Sequence, residues 1–266
     1  MSERINKTAL VTGASFGIGY EFAQQLAKQG YDLIVVSRTK AKLTELKKDL
    51  EKKHSIKVTV MATDLSKTDS AEILYQKCKK SKIAVDLLIN NAGVGMMGNS
   101  IDLDNQNIED MINLNIVTLT KLSNLFGKDM ADRQNGDILN IGSLVGTFAI
   151  PYFSMYAATK SYVLNYSVGL RHELKSKGVN VSCLLPGYVR TSFDDNAQIT
   201  STSYKKISSL MGMAPDKVAK KGLKTVKRKK ASLIAGGSNK MMPLITTIIP
   251  KNALSALIGF FLKKII

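Results

Sequence analysis

The sequence predicts a single α/β domain in which helices cover both faces of a parallel sheet. Short apolar runs rich in β-branched residues recur through the first two thirds of the chain, as buried parallel strands require. Amphipathic stretches of helix length separate these runs. At 266 residues with 44% hydrophobic content, the chain is long enough to bury a sizeable core.

Seven runs qualify as strands, and the last follows a helical stretch at 216–229. They are residues 8–13, 32–37, 57–62, 86–91, 137–142, 179–185 and 232–237. Because no repeat or Pro/Ser-rich linker interrupts the pattern, we expect one domain over 1–238. Within it, the polar segment 187–214 is a candidate substrate loop, since long irregular loops often form lids or binding loops. Residues 239–266 form an apolar C-terminal extension.

The cysteine content and the first residues of the chain bear on compartment and on metal binding. Cys78 and Cys183 are too few for a disulfide framework or a four-cysteine zinc cage, so we expect buried thiols and no metal site. The N-terminal sequence lacks a basic flank followed by a long apolar stretch, which a signal peptide would have. These observations favour the reducing cytoplasm.

The formal charge of +17 is concentrated near the C-terminus, where residues 196–266 hold fourteen basic side chains and one acidic side chain. A nucleic-acid-binding module would combine such charge with a recognisable motif and aromatic stacking residues. This segment has few aromatic residues and no such motif. We therefore expect no nucleic-acid partner.

The first predicted strand leads through a glycine-rich turn into a helical stretch predicted over 20–29. Glycines allow a tight turn and close approach of a pyrophosphate, while a helix N-terminus offers free N–H groups. A dinucleotide site is therefore favoured over a merely structural turn. Its candidate cofactor-binding residues are Gly13, Ser15, Phe16, Gly17, Ile18 and Gly19.

The choice between two nicotinamide cofactors usually depends on the end of the second strand, where an acidic residue would bind a ribose 2′-hydroxyl. This chain has Ser37 and Arg38 at that point. A guanidinium can bind a 2′-phosphate through charge-assisted hydrogen bonds, so the pair favours NADP(H). The alternative is that Arg38 is only the first solvated residue of a basic helix.

Two further strand ends carry candidate cofactor contacts. Asp64 and Leu65 follow the third strand, and an aspartate there can accept a hydrogen bond from an adenine amino group. Asn91, Ala92 and Gly93 follow the fourth strand in a turn that leaves room for a flat ring. Both segments could instead be ordinary turns, and only their places at successive strand ends favour binding.

Ser143 follows the fifth strand, and Tyr156 and Lys160 follow that serine at fixed spacing. In a helix, residues four apart share a face, so a lysine ammonium there can ease ionisation of the phenol. A second Tyr-x-x-x-Lys pair, Tyr75 and Lys79, has no serine at the corresponding distance. We interpret that second pair as a helix surface pair.

Taken together, these motifs resemble the short-chain dehydrogenase/reductase family over residues 7–237. The resemblance implies a Rossmann-type, doubly wound, seven-stranded parallel sheet, and commonly a homodimer or homotetramer. It implies that Asn115 is the fourth catalytic residue beside Ser143, Tyr156 and Lys160, with Asn113 as the competing alignment. It adds the segment after the sixth strand to the cofactor set, and assigns Thr191 to the nicotinamide carboxamide. The residues of that segment are Pro186, Gly187, Val189 and Thr191.

The function that follows is NADPH-dependent reduction of a ketone or aldehyde, reversible as alcohol oxidation, with Tyr156 as general acid and base. Ser143 would hydrogen-bond the substrate oxygen, and Asn115 would hold a water relay to Lys160. The stretch VVSRTKAKL, which begins in the second strand, and the apolar extension together resemble the hydroxysteroid and long-chain 3-oxoacyl reductases of the family. This resemblance implies an apolar or lipid-like substrate. The alternatives are reduction of 3-oxoacyl groups on an acyl carrier protein, and a non-catalytic NADP(H)-binding scaffold.

The apolar extension is interrupted by Pro243, Pro250 and Lys251, so it is too short in any one run to cross a bilayer. Three roles for residues 252–266 stay open. They could lie peripherally on the inner face of the membrane, cap the substrate pocket, or pack against a second subunit.

Overall fold

The computed structural model describes residues 7–191, 193, 201, 203, 206, 210, 212–236 and 248–264. Its strands are β1 (Thr8–Thr12), β2 (Asp32–Ser37), β3 (Val58–Ala62), β4 (Leu87–Asn90), β5 (Gly136–Ile141), β6 (Val179–Pro186) and β7 (Ser232–Ala235). They form one sheet in the order β3-β2-β1-β4-β5-β6-β7, and every neighbouring pair is parallel. The predicted fold class is therefore confirmed.

In the described part of the chain, helices lie in the connections between the strands, and one more helix follows the last strand. They are α1 (Gly17–Lys28), α2 (Lys40–Lys53), α3 (Ser70–Lys80), α4 (Asn105–Ile112), α5 (Leu119–Asp132), α6 (Ser154–Lys175), α7 (Pro215–Lys227) and α8 (Lys251–Lys263). A π-helical segment, Asn113–Thr118, joins α4 to α5, and a 3-10 turn, Leu144–Thr147, follows β5. Among the described residues, no helix is long and apolar enough to cross a membrane.

Alternate residues of each central strand pack into opposite layers, as the two-residue period of a strand requires. In β1, Ala9 and Val11 join a core with α1, α2 and α7, whereas Leu10 joins a second core with α3 and α5. All three side chains are fully buried. Burial on both faces explains why these strands are continuous apolar runs instead of alternating ones.

The strand order reverses between β1 and β4, which are adjacent in the sheet with Val11 opposite Ile89. In open α/β sheets, ligands bind beyond the carboxyl ends of the strands at such a switch point. The segments that carry the candidate residues leave β1, β4, β5 and β6 at this edge.

Most strand boundaries agree with the prediction to within one residue, and the larger differences are at the first helix and the last strand. The first helix begins at Gly17, not at residue 20, so the last glycines of the turn lie inside its first turn. The last strand ends at Ala235 because the chain reaches Gly236 at a positive φ of 115°. Much of the predicted substrate loop 187–214, and residues 239–247 of the predicted extension, lie outside the described residues.

Candidate active site

A cavity of about 440 Å³ opens at the carboxyl edge of the sheet. Its lining includes the glycine turn after β1, the turn after β4, Ser143 and Tyr156. It also includes apolar side chains, among them Phe148, Ile150 and Phe153, which pack in one cluster with Tyr156. The cavity therefore has both polar, glycine-rich lining and apolar lining, and Tyr156 contacts the apolar part.

The glycine turn requires residues without a Cβ. Gly13 and Gly17 have positive φ angles of 67° and 60°, which side-chain-bearing residues rarely adopt. A Cβ on Gly19 would lie 2.2 Å from the carbonyl oxygen of Gly13. In the described part of the chain, no side chain caps α1, and its first turn has no acidic residue. The helix N-terminus therefore keeps N–H groups and a positive dipole end for an anion.

Thr12 holds the turn after β4 against the glycine turn. Its hydroxyl accepts hydrogen bonds from the backbone N–H groups of Asn91 and Ala92, both at 2.9 Å, and donates to the Ile89 carbonyl. The Asn91 side chain in turn donates to the Thr12 carbonyl at 2.9 Å. Thr12 is a positioning residue that our candidate set did not include, although it stands at the head of the glycine motif.

The candidate residues at the ends of β2 and β3 lie outside this cavity. Arg38 is exposed, whereas the Ser37 hydroxyl is buried and has no hydrogen-bond partner among the described residues. The hydroxyl of Thr63, the residue after β3, is also buried and has no hydrogen-bond partner among the described residues. Asp64 uses one carboxylate oxygen locally, accepting from the Ser66 N–H and hydroxyl. The buried hydroxyls of Ser37 and Thr63, the first of them next in sequence to the exposed Arg38, are suited to bind a polar ligand, since buried polar groups normally find partners.

Ser143 begins the 3-10 turn after β5 and is 8% exposed. Its hydroxyl donates to the Pro186 carbonyl and accepts from the Val145 N–H, both at 3.4 Å. These distances are long for hydrogen bonds to a hydroxyl. The group is therefore held loosely and can turn toward a ligand in the cavity.

Tyr156 lies in the first turns of α6 and is buried at the cavity wall. Burial raises the pKa of its phenol to about 12, an effect that the nearby Ser143 hydroxyl partly offsets. The ring packs near Phe193, with 5.5 Å between centroids, and near Phe153, with 6.2 Å. The phenol therefore stays protonated near neutral pH.

Lys160 lies one helical turn after Tyr156, 4% exposed, and its ammonium is 5.8 Å from the centre of the Tyr156 ring. The ammonium donates to the Ile141 carbonyl at 3.0 Å. Burial lowers the pKa of Lys160 to about 8. Burial is the largest cause of the pKa shift of both groups, and the easing of phenol ionisation by this lysine stays a prediction.

Asn115 lies in the π-helical segment, a type of helical irregularity that is frequent at functional sites. It is fully buried, and its amide exchanges two hydrogen bonds with the backbone of Val94, at 3.0 and 2.8 Å. A Cβ on Gly93 would lie 3.1 Å from the Asn115 carbonyl oxygen and 3.2 Å from the Lys160 ammonium. Asn115, and not the half-buried Asn113, therefore lies beside Lys160.

The segment after β6 closes over the glycine turn. A Cβ on Gly17 would lie 3.0 Å from the Thr191 methyl carbon, so Thr191 covers the start of α1. The base of the loop is held by a bridge between Val189 and Met213 and by the Arg190 side chain, which donates to the Gly212 carbonyl at 2.8 Å.

The structure thus brings most of the candidate residues together around the cavity and leaves a smaller group outside its lining. Those that line it are Gly13, Phe16, Gly17, Ile18, Asn91, Ala92, Gly93, Ser143, Tyr156, Lys160, Pro186, Gly187, Val189 and Thr191. Those outside are Ser15, Gly19, Ser37, Arg38, Asp64, Leu65 and Asn115. The second Tyr-x-x-x-Lys pair, the half-buried Tyr75 and the exposed Lys79 of α3, lies outside the cavity, and both side chains donate to the carboxylate of Asp129 on α5.

The apolar wall contains residues that the motifs do not reveal. Phe193 packs against Gly95, whose Cβ would lie 2.6 Å from the ring. Ile258 and Leu262, from α8, also line the cavity. The C-terminal segment therefore contributes to the pocket, one of the three roles that the sequence left open.

Comparison with known proteins agrees with this geometry. The model of the short chain dehydrogenase family matches residues 7–201. Over 194 residues the chain is 35% identical to very-long-chain 3-oxoacyl-CoA reductase-B of Danio rerio, covering 70% of this chain and 61% of that protein. It is 33% identical over 229 residues to the Homo sapiens very-long-chain 3-oxoacyl-CoA reductase, covering 84% and 69% respectively. The chain spans about three fifths of the length of the first of these relatives.

Two solved structures extend the likeness to the fold. A short-chain dehydrogenase from Sphingobium yanoikuyae, in complex with NADPH, is 30% identical with a TM-score of 0.81, covering 91% of this chain and 93% of that one. A bulky-bulky ketone specific alcohol dehydrogenase from Comamonas testosteroni is 28% identical with a TM-score of 0.75, over 91% and 93% of the two chains.

Proposed function

The chain belongs to the short-chain dehydrogenase/reductase family, and we propose that it uses NADP(H) to reduce the carbonyl group of an apolar substrate. One observation carries the proposal. Ser143 and Tyr156 line the same cavity as the glycine turn, their hydroxyls are close enough to hydrogen-bond, and Tyr156 packs in the apolar cluster of Ile150 and Phe153. A carbonyl placed there would have two hydroxyl donors on one side and an apolar pocket for the rest of its molecule.

The described residues fit the cofactor. The cradle at Gly13 and Gly19 leaves no room for a Cβ, and the uncapped start of α1 suits a pyrophosphate. The exposed Arg38 guanidinium suits a 2′-phosphate, and the orphaned Ser37 and Thr63 hydroxyls suit the polar groups of a nucleoside. Crystallised relatives with NADPH, and with 5-hydroxy-NADP in a Thermococcus sibiricus alcohol dehydrogenase 26% identical to this chain, support the choice of NADP(H).

The cofactor, when bound, supplies or accepts the hydride, and the protein's own residues donate or accept the proton. A phenol with a raised pKa is protonated at neutral pH, so Tyr156 is ready to donate a proton to a carbonyl oxygen that gains charge. Ser143 would orient the same oxygen, since its own hydrogen bonds are long and easily exchanged. Both groups favour the reductive direction.

Lys160 and Asn115 support Ser143 and Tyr156. Below pH about 8 the buried ammonium of Lys160 carries a charge that attracts electron density on a neighbouring oxygen. The Asn115 side chain accepts a hydrogen bond from the Val94 N–H and donates one to the Thr159 hydroxyl at 3.1 Å. Asn115 thus links the turn after β4 to α6, the two segments that carry Gly93 and Lys160, and is suited to hold a water relay to that lysine.

The proposed substrate is a lipid-like ketone, and a 3-oxoacyl thioester is the first candidate. The pocket wall of Phe148, Ile150 and Phe153 provides apolar surface. The names of the relatives from Danio rerio and Homo sapiens point to 3-oxoacyl-CoA reduction. An acyl-carrier-protein-linked group remains the alternative carrier. The scaffold alternative is disfavoured because Ser143, Tyr156, Lys160 and Asn115 converge.

The proposal includes a cytoplasmic homo-oligomer that contacts the inner face of a membrane peripherally. Self-association is supported by partly exposed apolar surface on neighbouring helices at Val117 and Tyr162. Membrane contact is supported by the basic C-terminal third of the sequence and its apolar last helix.

The test is NADPH consumption by the full chain against a panel of carbonyl compounds. The panel contains 3-oxoacyl-CoA thioesters of increasing chain length, steroid ketones and small water-soluble ketones, each assayed with NADPH and NADH. We expect turnover with NADPH that rises with the apolar size of the substrate. Cofactor binding without turnover of any compound would contradict the proposal and favour a scaffold.

A further inference from the structure

The last helix, α8, is tightly docked by its inner face. Leu254 is 6% exposed, and Ile258 and Leu262 pack into the cluster that contains Ile150 and Phe153. A Cβ on Gly259 would lie 3.0 Å from the Pro151 ring, so the glycine allows the helix to lie close to the domain. This face forms part of the wall of the catalytic cavity.

The outer face of the same helix is apolar as well, although it contacts solvent. The side chains of Leu257, Phe260 and Phe261 are 52, 58 and 55% exposed. Their spacing of three and four residues places them on one side of the helix. A contiguous exposed apolar patch usually marks an interaction surface. This outer face therefore needs a partner to cover it.

The charges around the patch indicate which partner fits. Lys251 precedes it, Lys263 and Lys264 follow it, and all three are exposed. The Lys264 ammonium lies 4.3 Å from the centre of the Phe260 ring. Residues 248–264 contain no acidic side chain. An antiparallel pair of these helices from two copies would bring Lys251 close to Lys263 and Lys264, which is unfavourable. An anionic lipid surface offers both acyl chains and negative charge.

We propose that the outer face of α8, formed by Leu257, Phe260 and Phe261 with the flanking lysines, docks on an anionic bilayer, and that the apolar substrate reaches the cavity from that bilayer. A helix with its side chains is about 10 Å across, so the lipid surface and the cavity wall contact adjacent sides of one helix. The second half of this proposal rests on the proposed function, whereas the docking does not.

The docking test uses the full chain and sedimentation with vesicles, either of phosphatidylcholine alone or with added phosphatidylglycerol. The docking variant is Phe260→Ser/Phe261→Ser. The matched control is Ile73→Ser/Ile101→Ser, which removes two exposed apolar side chains of α3 and of the 3-10 turn at 100–102. Thermal unfolding midpoints check that both variants fold.

We expect the wild type and the control to sediment with the anionic vesicles, and the docking variant to bind at least tenfold more weakly. High salt should weaken the binding, because exposed charges contribute to it. Equal binding by the wild type and the docking variant would overturn the proposal. So would a docking variant that changes only the oligomeric state, since that outcome would assign the patch to a second copy of the chain.

The delivery half is tested by NADPH consumption with a long-chain ketone carried in anionic vesicles and with a small water-soluble ketone. We expect the docking variant to lose at least fivefold in rate on the vesicle-borne ketone and to match the wild type on the soluble one. Equal loss on both substrates would contradict delivery from the bilayer. If neither ketone turns over although the vesicles still bind, the proposed function fails and the docking surface stands.

Discussion

The Lys160 ammonium lies 5.8 Å from the centre of the Tyr156 ring and donates its hydrogen bond to the Ile141 carbonyl. The two groups are buried together, and burial shifts their pKa values apart, to about 8 for the lysine and about 12 for the tyrosine. Both shifts favour the uncharged side chains. The site therefore bears a desolvation cost that a polar ligand in the cavity can relieve.

Replacing Lys160 by Met should stabilise the protein while it impairs turnover. The folded state lowers the lysine pKa by about 2.5 units, which corresponds to about 3 kcal/mol of unfavourable free energy at neutral pH. The variant also loses the hydrogen bond to the Ile141 carbonyl, which destabilises it by about 1 kcal/mol and partly offsets the gain. We expect Lys160→Met to raise the free energy of unfolding by about 2 kcal/mol at pH 7 in denaturant titrations.

The pH dependence of that gain checks its origin. The folded pKa lies below the unfolded one, so the cost is complete below pH 8 and disappears as pH rises toward the unfolded value of about 10.4. The wild type should therefore gain stability relative to Lys160→Met between pH 8 and pH 10. A gain that does not change with pH would assign the effect to packing.

The rate of reduction should fall as pH rises through about 8. Lys160 is charged below this pH and neutral above it, while Tyr156 keeps its proton over the whole range. The profile of kcat/KM for the reduction should therefore show one limb near pH 8, and the residual activity of Lys160→Met should lack it. A flat wild-type profile between pH 7 and 9.5 would contradict this assignment.

Arg38 should determine the preference for the phosphorylated cofactor. The guanidinium is exposed at the end of β2, next to the orphaned Ser37 hydroxyl. We expect Arg38→Ser to raise the KM for NADPH at least tenfold and to change the KM for NADH by less than twofold. Lys48→Ser, an exposed cation farther along α2, is the control and should change neither value. Equal changes in the KM values for NADPH and NADH would contradict binding of the 2′-phosphate by Arg38 and would indicate only a general effect of its positive charge.

Ile258 should limit the length of substrate that the cavity accepts, because it lines the apolar end from α8. A larger side chain there should fill space that a long acyl chain needs. We expect Ile258→Phe to lower kcat/KM at least tenfold for the longest 3-oxoacyl thioester of the panel, and less than twofold for a small ketone. Ile73→Phe, on the surface of α3, serves as the control. A uniform loss over all substrates would indicate displacement of α8.

The sheet and the polar site were predictable from the sequence because both depend on local patterns. Buried strands of four to eight residues appear as apolar runs, and each candidate motif follows the end of one. Ser143 follows the end of β5, and the spacing of Tyr156 and Lys160 places both on one face of α6, so these three residues stand out in the sequence as one motif. The start of α1 was misplaced because glycines, which weaken helix propensity, occupy its first turn.

The apolar wall and the pKa values were not predictable in the same way. Phe193 and Ile258 reach the cavity from segments whose positions depend on tertiary packing, and neither belongs to a motif. Spacing places Lys160 near Tyr156 but does not show how deeply both are buried. That depth is the main cause of the raised phenol pKa, because desolvation disfavours the charged form.

The account depends most directly on the proton of Tyr156, and single-turnover reduction by Tyr156→Phe tests it. The matched control is Tyr162→Phe, which removes a hydroxyl from the same helix at a site bonded to Thr120 and outside the cavity lining. We expect Tyr156→Phe to lose at least a hundredfold in rate, in the range for removal of a general acid, with NADPH affinity within twofold of the wild type. A Tyr156→Phe variant that reduces the ketone at the rate of Tyr162→Phe would contradict the account.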